Sequence, residues 1–159
     1  MPMSFGLFIN KPGVNWRYSS EGEAGTSNRN IPIPRGRMTG GSSSINGMVY
    51  VRGQSLDYDT WAQHGNKGWS WNEVSKIFKK IENYDKSETE YRGNSGLLGI
   101  TEVKDENLLY DALIESAQSL GYPLNKDYNG PNQEGISRIQ ATISNGRRMS
   151  TDYCFLDLL

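Results

Sequence analysis

The stretch Gly40-Gly41-Ser42-Ser43-Ser44 constrains this chain more than any other, framed by Pro34-Arg35-Gly36-Arg37-Met38-Thr39 and Ile45-Asn46-Gly47-Met48-Val49-Tyr50-Val51-Arg52-Gly53. Two adjacent glycines carry no Cβ, so backbone there can approach a ligand closely. The serines add hydroxyls and unblocked backbone N–H groups, a composition that suits an anion-binding concavity. Arg35, Arg37 and Arg52 bracket the run with permanent positive charge suited to phosphate. At Met48-Val49-Tyr50-Val51 the chain turns apolar, which reads as a short buried segment or strand. A polar cradle joined to an apolar wall would serve a flat, phosphate-bearing cofactor. The competing reading of the same composition is a flexible Gly/Ser connector.

The order of residues separates the two. Arg-Gly-Arg-x-x-Gly-Gly-Ser-Ser-Ser-Ile-Asn-Gly-Met-Val-Tyr-x-Arg-Gly, followed by Asp57-Tyr58-Asp59-x-Trp61, resembles the first signature of the glucose–methanol–choline (GMC) oxidoreductases, FAD-dependent alcohol oxidases and dehydrogenases. Gly68-Trp69-Ser70-Trp71 through Phe78-Lys79-Lys80 and Gly135-Ile136-Ser137-Arg138 through Phe155-Leu156 extend the resemblance over nearly the whole chain. Tyr91-Arg92-Gly93 and Asn129-Gly130-x-x-Gln133-Glu134-Gly135 are similar to its choline dehydrogenase-like branch.

Composition narrows the remaining classes. The 159 residues suffice for one domain with a real core, and nine tyrosines and four tryptophans argue against disorder. A net charge of −1 provides no global field for nucleic acid or anionic membrane. One cysteine, Cys154, leaves no internal disulfide and fits a reducing compartment. With His64 as the sole histidine, no zinc site of the usual His/Cys type can be assembled. His64 also lacks the partner motif of a nucleophilic pair. No apolar run reaches membrane-spanning length, and the opening Met-Pro-Met-Ser-Phe lacks the basic region of a signal peptide. These features place the chain in the cytoplasm, with peripheral association at the inner membrane as the alternative.

Local patterns predict an extended, turn-broken entry over 1–34, punctuated by Pro2, Pro12 and Gly13. Ser55 is the expected cap of a helix ending near Gly65. Ser70 and Glu73 have capping-box spacing for a helix running to about Tyr84, with Trp71, Val74, Phe78 and Ile81 as its apolar stripe. A strand is expected within 97–103. Asn107 should cap a third helix, stopped by Gly121 and Pro123, whose Leu109, Ala112, Leu113, Ser116, Ala117 and Leu120 follow helical spacing and make it a core helix. Asp127 to Asn132 reads as a solvated turn and 136–144 as a strand. Asn145-Gly146 is a hairpin turn, and Ser150 or Thr151 starts a final helix.

The resemblance implies an α/β (α+β) piece of the FAD-binding domain with the start of the substrate or cap region. It would lack the N-terminal Rossmann βαβ with its Gly-x-Gly-x-x-Gly. Residues 1–84 would be the flavin-contacting segment and following helices. Residues 85–159 would form a variable loop, a helix and a strand-turn-helix leading toward the substrate domain. Trp16, Arg37, Gly40, Gly41 and Ser42 would lie near the nucleotide, diphosphate and ribityl portions of FAD, and Asn46, Gly47, Met48 and Val49 along the isoalloxazine edge. Ile45 stands where some members carry the histidine that binds FAD covalently, so binding would be non-covalent. The reaction implied is oxidation of a small-molecule alcohol with hydride transfer to flavin N5. The electron acceptor is not implied. The family's catalytic histidine is expected beyond residue 159, which leaves no catalytic residue and no metal ligand in this stretch. The chain would then be an internal fragment, inactive and aggregating or molten by itself. The Asp157-Leu158-Leu159 end departs from the family's usual Leu-x-Pro continuation. The alternative is a non-catalytic remnant or binding module in which the Gly/Ser run is a linker.

Overall fold

A computed structural model describes residues 5–86, 88–104 and 107–156. The expectations for Pro2 and for Asp157-Leu158-Leu159 fall outside these residues. In chain order the elements are helix α1 (Phe5–Phe8), strands β1 (Tyr18–Ser19) and β2 (Pro32–Ile33), and helices α2 (Ser55–Gln63) and α3 (Trp71–Ile81). Strands β3 (Glu82–Tyr84) and β4 (Leu98–Glu102), helix α4 (Leu108–Ser119), and short strands β5 (Gln140–Ala141), β6 (Ile143–Ser144) and β7 (Arg147–Arg148) follow. A 3-10 turn covers Gly41–Ser44 and a π-helical turn Asp152–Leu156. The chain divides into two compact units, 1–48 with 143–159, and 49–142.

In the first unit β1 and β2 pair antiparallel, Tyr18 opposite Ile33. Buried Asn15 ties this region together. Its Oδ1 accepts the Arg17 and Arg35 amides at 2.8 and 2.9 Å, and its Nδ2 donates to the Ile9 carbonyl. The helical turn at Phe5–Phe8 departs from the extended entry expected there. β6 and β7 form the hairpin that Asn145-Gly146 predicts, with φ of 48° and 70° at the two turn residues.

In the second unit α2 and α3 pack through aromatic rings. Tyr58 lies 5.6 Å from Trp71 and 5.9 Å from Phe78, ring centre to ring centre. The cap of α2 is Gln54, one residue before the Ser55 expected. The Gln54 amide donates to Asp57 Oδ2 at 2.8 Å and the Asp57 amide to the Gln54 carbonyl. At α3 the Ser70 hydroxyl donates to Glu73 Oε2 instead of capping backbone, and Asp59 of α2 takes the Trp71 amide at 2.8 Å. α3 ends at Ile81, before the Tyr84 expected, because the chain extends into β3. β4 is the centre of a three-stranded sheet, parallel to β3 and antiparallel to β5. Tyr50, Tyr84 and Ile100 form the core against which Leu98 packs. The strand expected over 136–144 is cut at Thr142 into β5 and β6.

Asn107 caps α4 as expected, accepting the Leu109 amide at 3.0 Å. The apolar face of α4 does not meet a core, however. Leu109, Leu113 and Leu120 are exposed, while Tyr110, Asp111, Ile114 and Ala117 are half-buried on another side. Met48 and Tyr50 are buried whereas Val49 and Val51 are exposed, so 48–51 alternates instead of forming a continuous apolar wall. Among the described residues no helix is long and apolar enough to cross a membrane.

Candidate functional site

The Gly/Ser run folds as a tight cradle within the first unit. Gly36 is pressed against it so closely that a Cβ at residue 36 would lie 2.2 Å from the Gly41 carbonyl oxygen. Gly40 is equally enclosed, its missing Cβ facing Ser44 Oγ and Asp152. Gly40 and Gly41 both take positive φ, 76° and 53°, and this successive left-handed backbone turns the chain into the 3-10 turn. Gly41 and Gly47 differ from Gly36 and Gly40 in one respect: a Cβ at either would meet nothing within 4 Å. That open side is where a bound group could lie against backbone.

The serines largely serve the cradle itself. Ser44 Oγ donates to the Thr39 carbonyl and Ser43 Oγ to the Gly40 carbonyl. Exposed Ser42 accepts the Gly36 amide at 3.2 Å and keeps its own O–H proton for another acceptor. The far end of the chain closes round the same turn. Thr151 donates its amide to Ser43 Oγ at 3.0 Å and its hydroxyl to the Gly40 carbonyl at 3.2 Å. Arg148 Nη1 donates to the Ser43 carbonyl at 3.0 Å and to Asn46 Oδ1 at 2.8 Å. Arg148 and Thr151 were legible only as part of the Arg148-x-Ser150-Thr151 pattern, with no sign of what they hold.

Trp16 and Arg37 come together from separate segments, the guanidinium 4.8 Å from the indole. The pairing follows from backbone, since Trp16 donates its amide to the Arg35 carbonyl and Arg37 its amide to the Val14 carbonyl. Trp16 also stacks on Tyr18, 6.2 Å apart with planes 7° from parallel. About half of Trp16 is exposed, a flat face with a cation beside it. Asn46, Gly47 and Met48 leave the cradle through a side-chain turn, the Met48 amide donating to Asn46 Oδ1 at 3.0 Å. Met48 is held at φ 65°, uncommon for a residue with a Cβ. Val49 opens the second unit, where its backbone bridges to Ala141.

Arg52, read in the sequence as a phosphate-side cation, is instead buried within the second unit. Its Nη2 lies 2.8 Å from Glu82 Oε2, in contact but off the direction of a hydrogen bond, and its Nη1 donates to the Tyr91 carbonyl. Arg92 grips the same carboxylate and reaches Asp127 Oδ1 at 2.6 Å. Burial alone would lower the Arg92 guanidinium, but its bond to Glu82 and the charges of Glu82 and Asp127 outweigh that and hold it above its ordinary value. Asn129, placed by sequence in a solvated turn, is buried. It accepts the Arg52 amide at 2.7 Å and donates to the Tyr50 carbonyl and to Gln140 Oε1. Two cations and two carboxylates balance, so this is a structural network. A cleft of about 400 Å³ borders it, lined by Gln54, Trp71, Tyr91, Tyr128 and Glu134 among others, and does not include the cradle. Among the described residues no cluster of His, Cys, Asp or Glu could hold a metal ion.

The sequence profile described as GMC oxidoreductase matches residues 17–158, and this chain belongs to that family. Among curated relatives, the oxygen-dependent choline dehydrogenase of Photobacterium profundum is 42% identical over 158 residues, 98% of this chain and 28% of that protein. The enzyme of the same name from Brucella ovis is 40% identical over 156 residues, with the same coverage. Pyridoxine 4-oxidase from Mesorbium loti superimposes with a TM-score of 0.90 at 31% identity, over 98% of this chain and 31% of that one. An FAD-dependent oxidoreductase from Chaetomium thermophilum follows with 0.84 at 27% identity, over 92% and 28%. The mixed helix-and-strand fold is that of the FAD-binding part of the family. The chain spans less than a third of the length of the curated relatives it matches.

Proposed function

We propose that this chain forms the flavin-cradling part of an FAD-dependent alcohol oxidoreductase of choline dehydrogenase type. The observation that carries the reading is the open side of the cradle at Gly41 and Gly47. Gly47 has no positive φ and no neighbour that a Cβ would strike, so nothing among the described residues requires glycine there. A flat group lying against the backbone would require it.

FAD, when bound, supplies an acceptor for the hydride removed from an alcohol carbon. Gly40, Gly41 and Ser42 are assigned to its diphosphate and ribityl portions, through backbone N–H groups and the free Ser42 proton. Arg37 and Trp16 offer charge and a stacking face to the nucleotide. The backbone of Asn46, Gly47, Met48 and Val49 is assigned to the isoalloxazine edge. Ile45 is buried and has no nucleophilic atom, which supports non-covalent binding. The substrate is a small alcohol of the choline class, after the names of the relatives. The group that takes the alcohol proton is assigned to sequence outside the matched third.

The test is to titrate FAD into the purified chain and follow flavin fluorescence. Saturable quenching supports the cradle. Fluorescence unchanged across the titration, in a chain that melts cooperatively and is therefore folded, would sink the reading in favour of a Gly/Ser connector.

A further inference from the structure

The side-chain amide of Asn46 is oriented by its neighbours. Oδ1 accepts from Arg148 Nη1 at 2.8 Å and from the Met48 amide at 3.0 Å, which uses both of its lone-pair directions. A flipped amide would set its NH2 group against a guanidinium and a backbone N–H, both donors, so this network admits only one orientation. Nδ2 has no acceptor among the described residues, and Asn46 is exposed. Its NH2 group is therefore held outward as an available donor.

Arg148 is placed for this by the β6–β7 hairpin, where it pairs with Ile143. Its second bond, to the Ser43 carbonyl, fastens the same guanidinium to the 3-10 turn. Partial burial lowers its pKa below the ordinary arginine value, yet it stays charged at any physiological pH. Met48 sits in the left-handed region, and such strain persists only where the surroundings over-determine it. Here the carboxamide and the guanidinium do so.

We infer that Arg148 is a positioning residue for the flavin cradle: through Asn46 Oδ1 it fixes the Asn46 amide with its NH2 outward, as a side-chain donor to a hydrogen-bond acceptor on the ring edge. The inference rests on the flavin reading above and adds to the backbone contacts a specific side-chain atom and the residue that aims it. The ligand chemistry is a heteroaromatic edge bearing carbonyl oxygen or unprotonated ring nitrogen.

Two readouts on the full 159-residue chain test it. The first needs no flavin: amide NMR of the nitrogen-labelled chain follows the Asn46 NH2 pair and hydrogen exchange at the Met48 amide. Arg148→Ala should move the NH2 pair to free-amide positions and speed Met48 exchange by about tenfold, the loss of one modest hydrogen bond. Arg148→Lys, which keeps charge but loses the fork, should fall between and serves if the alanine variant does not fold. Signals unchanged in both variants would overturn the positioning role. The second readout is FAD affinity in Asn46→Asp. That variant keeps an acceptor for Arg148 and Met48 but has no donor, so Met48 protection should persist while affinity falls about tenfold or more. Affinity equal to that of the unmodified chain would overturn the donor role. If the unmodified chain melts cooperatively yet binds no FAD, the flavin reading fails and the donor assignment with it, while the flavin-free signals still decide whether Arg148 orients Asn46.

Discussion

Arg92 meets Glu82 through two parallel hydrogen bonds, Nε to Oε1 at 2.9 Å and Nη2 to Oε2 at 3.0 Å, with 1% and 0% of the two side chains exposed. Glu82 also takes the Gly93 amide and touches Arg52, so this one carboxylate contacts both buried cations, and Asp127 beside Arg92 brings the second negative charge. Glu82→Gln should destabilise the chain by about 3–5 kcal/mol, because it strands buried charge. Arg92→Lys should cost nearly as much, since an ammonium cannot reproduce the fork. Urea denaturation of both variants checks this, and midpoints matching the unmodified chain would show that water reaches the network.

Glycine substitutions separate fold from binding at the cradle. Gly36→Ala should destabilise by about 1–3 kcal/mol, since its Cβ would overlap the Gly41 carbonyl. Gly47→Ala should leave thermal stability within about 0.5 kcal/mol, there being nothing to strike. It should nonetheless weaken FAD binding about tenfold or more through overpacking against the ligand. Equal loss of stability at both positions would contradict the open side described for residue 47.

At the start of α3, Asp59→Ala should cost about 1 kcal/mol through loss of the bond to the Trp71 amide. Ser70→Ala should cost less, since that hydroxyl bonds an exposed Glu73 side chain and caps no backbone. Thermal melts of the two variants rank them directly. The reverse ranking would restore the cap to Ser70.

Alkaline pH tests the burial of three phenols. Burial pushes Tyr50, Tyr84 and Tyr128 above the ordinary tyrosine value of 10.0. Above that value the unfolded chain sheds protons that the folded chain retains. The contribution to stability is therefore full below pH 10 and falls as pH rises through the raised folded values. Tyrosinate absorbance should show three late-titrating phenols, and unfolding free energy should decline over the same window. Nine tyrosines titrating together in the folded chain would refute it.

Features that depend on near neighbours were readable in the sequence. Asn145-Gly146 carries its own turn chemistry, Asn107 caps the amide two residues on, and β4 lies inside 97–103. Features set by distant partners were not. Arg52 reads as a flanking cation because nothing local announces Glu82, and Asn129 reads as turn because its partners at Tyr50 and Arg52 lie more than 70 positions away. The spacing of leucines in α4 predicts an amphipathic helix correctly but not which side is covered. At the cradle, motif order located the glycines and Asn46. That Arg148 and Thr151 hold them was not legible, since those contacts cross about a hundred residues.

The three-stranded sheet has a kinetic consequence. Its central strand, β4, joins β3 across one loop, but reaches β5 only after α4 and the turn around Asn129 have been traversed. Closing that longer excursion costs entropy before any contact repays it, and topologies of high contact order fold slowly. Glu82 opens β3 and Gln140 opens β5, and Arg92 bonds both. Refolding should therefore show one slow step in which sheet closure and charge burial coincide, and substitutions at Glu82, Arg92 or Gln140 should slow that step together.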